Sequence, residues 1–238
     1  LIEKDIDNMF DILDVYSLSD NLLPLIKQGK LLSQKYTITI TNPPYYPISG
    51  TSTKLQEYVK ANYPDSKTDL FAVFMEVCKS MLKKNGFEAM INMHSWMFLS
   101  SYEKLREKVL LNTTIINMAH LGTRAFEEIG GEVVQTTAFV LRNATERGYI
   151  SSFKRLIDFN SQDAKENAFL TVGNLYQTKI DNFSKIPGSP IAYWVNKKFI
   201  NQFDLPSFLS EFSFKRGIAT GNNPLFIRFW YEVCDRNI

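Results

Sequence analysis

The apolar and polar positions of the chain alternate between two periods. Residues 5–14 and 20–34 repeat apolar side chains at helical spacing, with Leu22, Leu25, Ile26 and Leu32 as the candidate apolar positions of the second stretch. "KYTITIT" at 35–41 is β-branched and predicts a strand. The proline loop "TNPPYYPISG" follows at 41–50, and "STKLQEYVKANY" predicts a short helix or lid. Over 67–86, Phe71, Phe74, Met75, Cys78 and Leu82 fall at i, i+3, i+4, i+7 and i+11, one face of a helix. Lys83, Lys84 and Gly86 supply its stop signals. "FEAMINM" at 87–93 then predicts a strand, and "SSYEKLREKVLLN" a helix capped by Ser100 or Ser101. "TTIINMAHL" predicts a strand, "GTRAFEEIGGE" a loop and "VVQTTAFVLRN" another strand.

Helices alternating with strands predict an α/β fold, doubly wound around a largely parallel sheet. The last two strands are joined without a helix, which predicts one antiparallel edge pair. Ligands of such sheets sit at the carboxyl ends of the strands, where the proline loop lies. After Asn143 the pattern changes. Residues 144–190 are mixed and polar, "SPIAYWVNKKFINQF" predicts one amphipathic helix, and "FKRGIATGNNPLFIRFWYEV" is rich in basic and aromatic residues. A boundary near 145–155 divides the chain into a first domain, 1–150, and a second region, 151–238. The opening "LIEKDIDNMF" has neither Met nor signal peptide and reads as part of a longer protein.

Composition narrows the chemistry. Lys+Arg 27 against Asp+Glu 25 leaves a net charge of +2, so any nucleic-acid contact must come from a local patch. Lys215, Arg216 and Arg228, interleaved with aromatic residues, are the candidate phosphate contacts; a solvated basic edge is the equal alternative. Cys78 and Cys234 are far apart in apolar contexts and read as reduced thiols of a cytoplasmic protein. His94 and His120 each follow an apolar run, and no cysteine, histidine or carboxylate cluster is expected around either, so no metal is expected. No apolar run reaches membrane-spanning length.

Asn42-Pro43-Pro44-Tyr45 carries the sharpest signal. The Asn42 side-chain oxygen and the Pro43 carbonyl are acceptors, and the two prolines stiffen the frame that holds them. An exocyclic amine on a planar heterocycle matches this pair: its two N–H groups meet the two acceptors, its lone pair is freed from the ring, and Tyr45 stacks on the ring. Such a site works by positioning and preorganised electrostatics.

"NPPY" after a strand resembles the catalytic motif of amino-methyltransferases that use S-adenosylmethionine. The order of the following segments resembles the N6-adenine DNA methyltransferases, in particular those of the BREX phage-defence and restriction systems, over roughly residues 30–142. The resemblance implies a Rossmann-like methyltransferase domain and, from 151 onward, a linker and the start of a DNA target-recognition region. It implies Asn42, Pro43, Pro44 and Tyr45 as catalytic residues, and Tyr45 and Phe126 as the aromatic pair on a flipped adenine. Asp69, Leu70 and Phe71, with Asn42, would border the cofactor; Asp69 as a helix cap is the alternative. Double-stranded DNA is the implied partner, with other subunits of a defence complex. The family's glycine-rich cofactor loop has no counterpart before residue 42, where Gly29 is the only glycine. The chain should thus hold the base pocket and not most of the cofactor site, and be inactive alone.

Three other readings share these residues. The motif also serves methyltransferases of other amine substrates. A catalytically incomplete DNA-binding or assembly fragment fits the missing cofactor half. Pro43-Pro44-Tyr45-Tyr46 is also a P-P-x-Y ligand pattern for WW domains.

Overall fold

The computed structural model describes residues 9–126 and 134–206, with Asn222 and Ile227, and side chains from residue 20 onward. The elements run α1 (Met9–Ser33), β1 (Tyr36–Thr41), α2 (Thr53–Asn62), α3 (Leu70–Ser80), β2 (Leu82–Met93), α4 (Glu103–Asn112), β3 (Thr114–Gly122) and β4 (Thr136–Arg142). They continue with β5 (Ile150–Arg155), α5 (Gln162–Leu170), β6 (Leu175–Lys179), α6 (Asp181–Ser184) and α7 (Lys197–Ile200).

The described strands form one mixed sheet in the order β1-β2-β4-β3-β5-β6. β1 pairs with β2, and β3 with β5, in parallel; β4 runs antiparallel to both β2 and β3, and β6 antiparallel to β5. The antiparallel pair expected at an edge therefore lies inside the sheet. The α4 crossover leaves a one-strand gap between β2 and β3, and β4 returns to fill it. The sheet also continues past residue 150 through β5 and β6, and the first compact unit extends to Ile200. In the second unit, Asn201–Ile238, the one described element is the 3-10 turn at Asn201–Asp204.

Helix α3 shows why the local pattern works. Asp69 caps it by accepting from Phe71 N, and Phe71, Ala72, Met75 and Cys78 are buried against the sheet. The strand faces opposite them supply Met90, Ile115, Met118, Phe139, Leu141 and Phe153, and α4 adds Leu105, Val109 and Leu110. Burying each large side chain stabilises the fold by about 1.5–3 kcal/mol. α3 is shorter than the sequence pattern predicts, because Leu82 already begins β2. Gly86 sits where β1 passes closely: a Cβ there would meet Thr37 O at 2.8 Å.

Three expectations change. α1 is one helix that runs through Pro24, and its expected apolar positions Leu22, Leu25, Ile26 and Leu32 are 46–67% exposed. α4 is capped by Tyr102 without a side-chain bond, because Ser100–Tyr102 form a preceding 3-10 turn. The predicted helix around "SPIAYWVNKKFINQF" is mostly irregular, since Ile191 N donates to Met97 O and Ala192 N to Pro190 O and not along a helical ladder, and only Lys197–Ile200 is α-helical before the Asn201–Asp204 turn. Among the described residues, only one sheet face carries the packed core. On the other, Ile38 and Ile40 are 55% and 76% exposed and a cavity of about 590 Å³ opens over Ile91, Ala119 and Val140. No described helix is long and apolar enough to cross a membrane.

Candidate active site

The proline loop leaves the carboxyl end of β1 and is bolted to the start of α3. Asp69 Oδ1 accepts from Tyr46 N at 3.0 Å and Phe71 N at 3.2 Å. Leu70 N donates to Tyr46 O at 3.0 Å, Ile48 N to Thr68 O at 3.1 Å, and Pro47 bridges Asp69. From the other side Gln56 of α2 donates to Ser49 O and Thr51 O. Ile48 is buried with Val59 of α2 and Val73 of α3, a small core of its own under the loop. Tyr46 is exposed and lies along Gly50, where a Cβ would meet its ring at 3.0 Å, while its hydroxyl donates to Gly50 O. A larger residue there would have to push the Tyr46 ring aside by a few tenths of an ångström.

Asn42 is exposed, Pro43 is buried and Tyr45 half-buried. The Tyr45 hydroxyl lies 3.0 Å from Asn42 Oδ1 and 3.1 Å from Ile91 O, and its single proton can serve one of them at a time. Its ring meets the edge of Phe71 at 6.4 Å. Burial pushes the Tyr45 phenol up to about 12, so it stays neutral near pH 7. Asp69 is held above the usual carboxylate range by burial, against the lowering pull of the backbone N–H groups of Phe71, Tyr46 and Leu70. With Pro43 buried and the segment pinned along its length, Pro43–Tyr46 cannot lie extended in a WW-domain groove without unmaking the loop.

The structure thus brings Asn42, Pro43, Tyr45, Asp69, Leu70 and Phe71 together around one loop. Pro44 is exposed in that loop. Asp69 is the helix cap, Leu70 packs in the small core and Phe71 is fully buried behind Tyr45. A nucleoside-bearing methyl donor needs free acceptors and an open ring face. Of these residues, Asn42 and the Pro43 carbonyl fit its reacting end; the committed Asp69 carboxylate and buried Phe71 do not make up its nucleoside end. Phe126 is half-buried after β3, and none of the described contacts joins it to Tyr45. Lys215, Arg216 and Arg228 lie outside the described residues.

A cluster that sequence reasoning missed stands at the same sheet edge. His94, after β2, places Nδ1 2.7 Å from Nε2 of His120 near the end of β3, and His120 Nδ1 lies 3.0 Å from the Tyr193 hydroxyl. Phe98 and Trp194 pack around them, and the Arg155 guanidinium lies 5.3 Å from the Trp194 ring. Burial first, then His94 and Arg155, pushes His120 down to about 3; burial also lowers His94. The histidines are therefore a pair and not isolated, as the sequence reading had them. They are 26 residues apart, and only the parallel direction of β2 and β3 brings their carboxyl ends together. No group of three or more His, Cys, Asp or Glu side chains suited to a metal ion occurs among the described residues.

Comparison with known proteins bears on this geometry. The Eco57I restriction-modification methylase family matches residues 3–126. The adenine-specific methyltransferase PglX of Lacticaseibacillus casei (strain Zhang) is 50% identical over 232 residues, 94% of this chain and 19% of that protein. The adenine-specific methyltransferase BrxX of Escherichia coli O9:H4 (strain HS) is 47% identical over 212 residues, 89% of this chain and 18% of that one. The chain spans about a fifth of the length of these curated relatives. Among solved structures, a DrdV–DNA complex superposes with a TM-score of 0.54 at 15% identity, covering 73% of this chain and 20% of the other. A structure of the type I R-M system, described for its complex assembly and conformational transition, gives 0.52 at 12% identity, covering 76% and 42%. These two are likenesses of fold.

Proposed function

Because the chain belongs to the Eco57I restriction-modification methylase family, we propose that it is the base-holding part of a site-specific DNA adenine-N6 methyltransferase of a phage-defence or restriction-modification system. The observation that carries the reading is the exposed Asn42 acceptor beside the Pro43 carbonyl, on a loop fixed by Asp69 and α3. The 50% and 47% identity to adenine-specific methyltransferases supports adenine over other amines.

An adenine turned out of the duplex donates its two N6–H groups to Asn42 Oδ1 and the Pro43 carbonyl. Both bonds draw the lone pair out of conjugation with the ring and aim it away from the loop. The Tyr45 ring, backed by Phe71, supports one face of the base, and Phe126 packs on it as the second ring. S-adenosylmethionine, when bound, supplies an electrophilic methyl group at this end of the sheet. N6 gains the methyl and gives up one proton to solvent. Asn42 and Pro43 border the reacting end of the donor, and Asp69, Leu70 and Phe71 form the wall behind it. Lys215, Arg216 and Arg228 contact the phosphates of double-stranded DNA, and other subunits of a defence complex assemble around a cytoplasmic enzyme.

Asn42→Ala tests the reading. Removing one preorganised partner of a reacting group lowers rate by about 10²–10³-fold, measured as methyl incorporation into DNA with the substitution placed in the full-length protein. Because Asn42 is exposed, the melting temperature should not move. An Asn42→Ala protein that methylates DNA at the normal rate would sink the mechanism.

A further inference from the structure

On the packed face of the sheet, between α3, α4, β2 and β4, lies a second cavity of about 240 Å³. It shares no lining residue with the proline loop. Its walls include Met75, Leu105, Val109 and Leu141, and its polar lining includes Lys79 and Glu88. Glu88 is 2% exposed, and its Oε1 is fully buried with no hydrogen-bond partner. Thr39, in register with Glu88 on the neighbouring strand, also has its hydroxyl buried without a partner. A buried polar atom left unpaired destabilises a fold by about 1–3 kcal/mol. Of the two, the Glu88 carboxyl lines the cavity, and it marks a place where a hydrogen-bonding guest belongs.

We propose that this cavity binds a small, uncharged, planar molecule that presents an N–H donor next to a carbonyl acceptor, such as an amide, lactam or pyrimidine edge. Glu88 as a carboxylic acid offers an O–H donor beside a C=O acceptor and closes a cyclic pair with such an edge. Burial pushes the acid up to about 8, with Lys79 pulling the other way, so it carries its proton near pH 7. The charges facing it argue against an ionic guest. Lys79 and Glu76 come from α3 and Lys108 from α4, and Glu76 and Lys108 already pair at 3.1 Å. A cation would meet Lys79, and an anion would meet Glu76. Aliphatic walls suit the faces of a flat ring, and the volume exceeds the roughly 30 Å³ share of one water several-fold.

Uracil is a suitable probe, with 1,3-dimethyluracil, whose N–H is blocked, as its control. Binding is followed by the methyl NMR signals of Met75 and Val109. Uracil should move both signals and dimethyluracil neither. Glu88→Gln keeps a donor beside an acceptor and should retain affinity within about threefold, whereas Glu88→Leu should weaken it at least tenfold. Raising the pH from 7 to 8.5, where uracil is still mostly neutral, should weaken binding to the unsubstituted protein about fourfold and leave Glu88→Gln unchanged; this comparison decides the matter where the Leu variant does not fold. Equal binding of the two pyrimidines, a pH-independent affinity, or unmoved Met75 and Val109 signals up to the solubility of uracil (a cavity holding water only) would each overturn the proposal.

Discussion

Replacing Glu88 by Gln should make the protein more stable at alkaline pH, and the magnitude follows from the burial of that one carboxyl group. Glu88 ionises at about 8 in the folded chain against an ordinary 4.5, a gap of about three and a half pH units. At about 1.4 kcal/mol per unit, the ceiling is about 5 kcal/mol. Water entering the adjoining cavity lowers the effect, so about 3–5 kcal/mol is expected. Between pH 4.5 and 8 the unfolded chain has lost this proton while the folded chain still holds it. Unfolding therefore releases a proton, and stability falls as pH rises through that window. The buried histidines act in the opposite sense. His120, at about 3 when folded, and His94, also lowered, are neutral in the fold but take up protons on unfolding below their ordinary 6.5, so their contribution is lost as pH falls. The observed pH profile of the unsubstituted protein sums these effects. The difference between it and Glu88→Gln isolates Glu88. Urea unfolding of both proteins at pH 5 and pH 8.5 measures it. The Gln variant should gain about 3–5 kcal/mol relative to the unsubstituted protein between the two conditions. A difference that changes by less than about 1 kcal/mol would show that Glu88 is not held protonated by its surroundings.

Asp69→Ala removes both the cap of α3 and the anchor of Tyr46 N; about 1 kcal/mol for the cap and about 1.5–3 kcal/mol for a bond to a charged acceptor should be lost in urea unfolding, with methylation by the full-length protein falling alongside. Unchanged activity in a folded Asp69→Ala protein would refute the idea that this carboxylate holds the proline loop. Arg106, 1% exposed, donates to the carbonyls of Trp96, Leu99 and Gly188; Arg106→Met orphans these acceptors and should destabilise by about 1–3 kcal/mol for each acceptor that stays buried and unpaired, seen as a large fall in melting temperature. The 238-residue chain alone should bind S-adenosylmethionine more weakly than about 1 mM in calorimetry, because Asp69 and Phe71 are committed to the loop; a micromolar affinity would show that these residues do form the nucleoside site.

The parts legible in the sequence were those fixed by neighbours along the chain. The β-branched run before Asn42, the prolines after it and the spacing from Phe71 to Cys78 all act over a few residues, and β1, the loop and α3 follow from them. The Asp69 cap could be weighed from sequence for the same reason. The position of β4 could not, because an antiparallel strand with an alternating pattern pairs equally well at an edge or in a gap. β5 and β6 stayed hidden because "ISSFKR" and "LYQTK" carry few apolar residues; their pattern shows only once the sheet supplies a face for Phe153 and Tyr176. The His94–His120 pair and the unpaired Glu88 are products of long-range register. Nothing in the residues beside them announces either.

The Tyr45 hydroxyl, equidistant within 0.1 Å from Asn42 Oδ1 and Ile91 O, gives the loop a latch with two resting places. On the proposed function, the phenol would hold the Asn42 amide in one orientation until an adenine arrived. When the amine took Asn42, the same proton would turn to the main chain of β2, leaving the number of hydrogen bonds inside the protein unchanged. Capture of the base would then require no bond to be broken without replacement. Discrimination between an amine that can fill both acceptors and one that cannot is left to the amine itself.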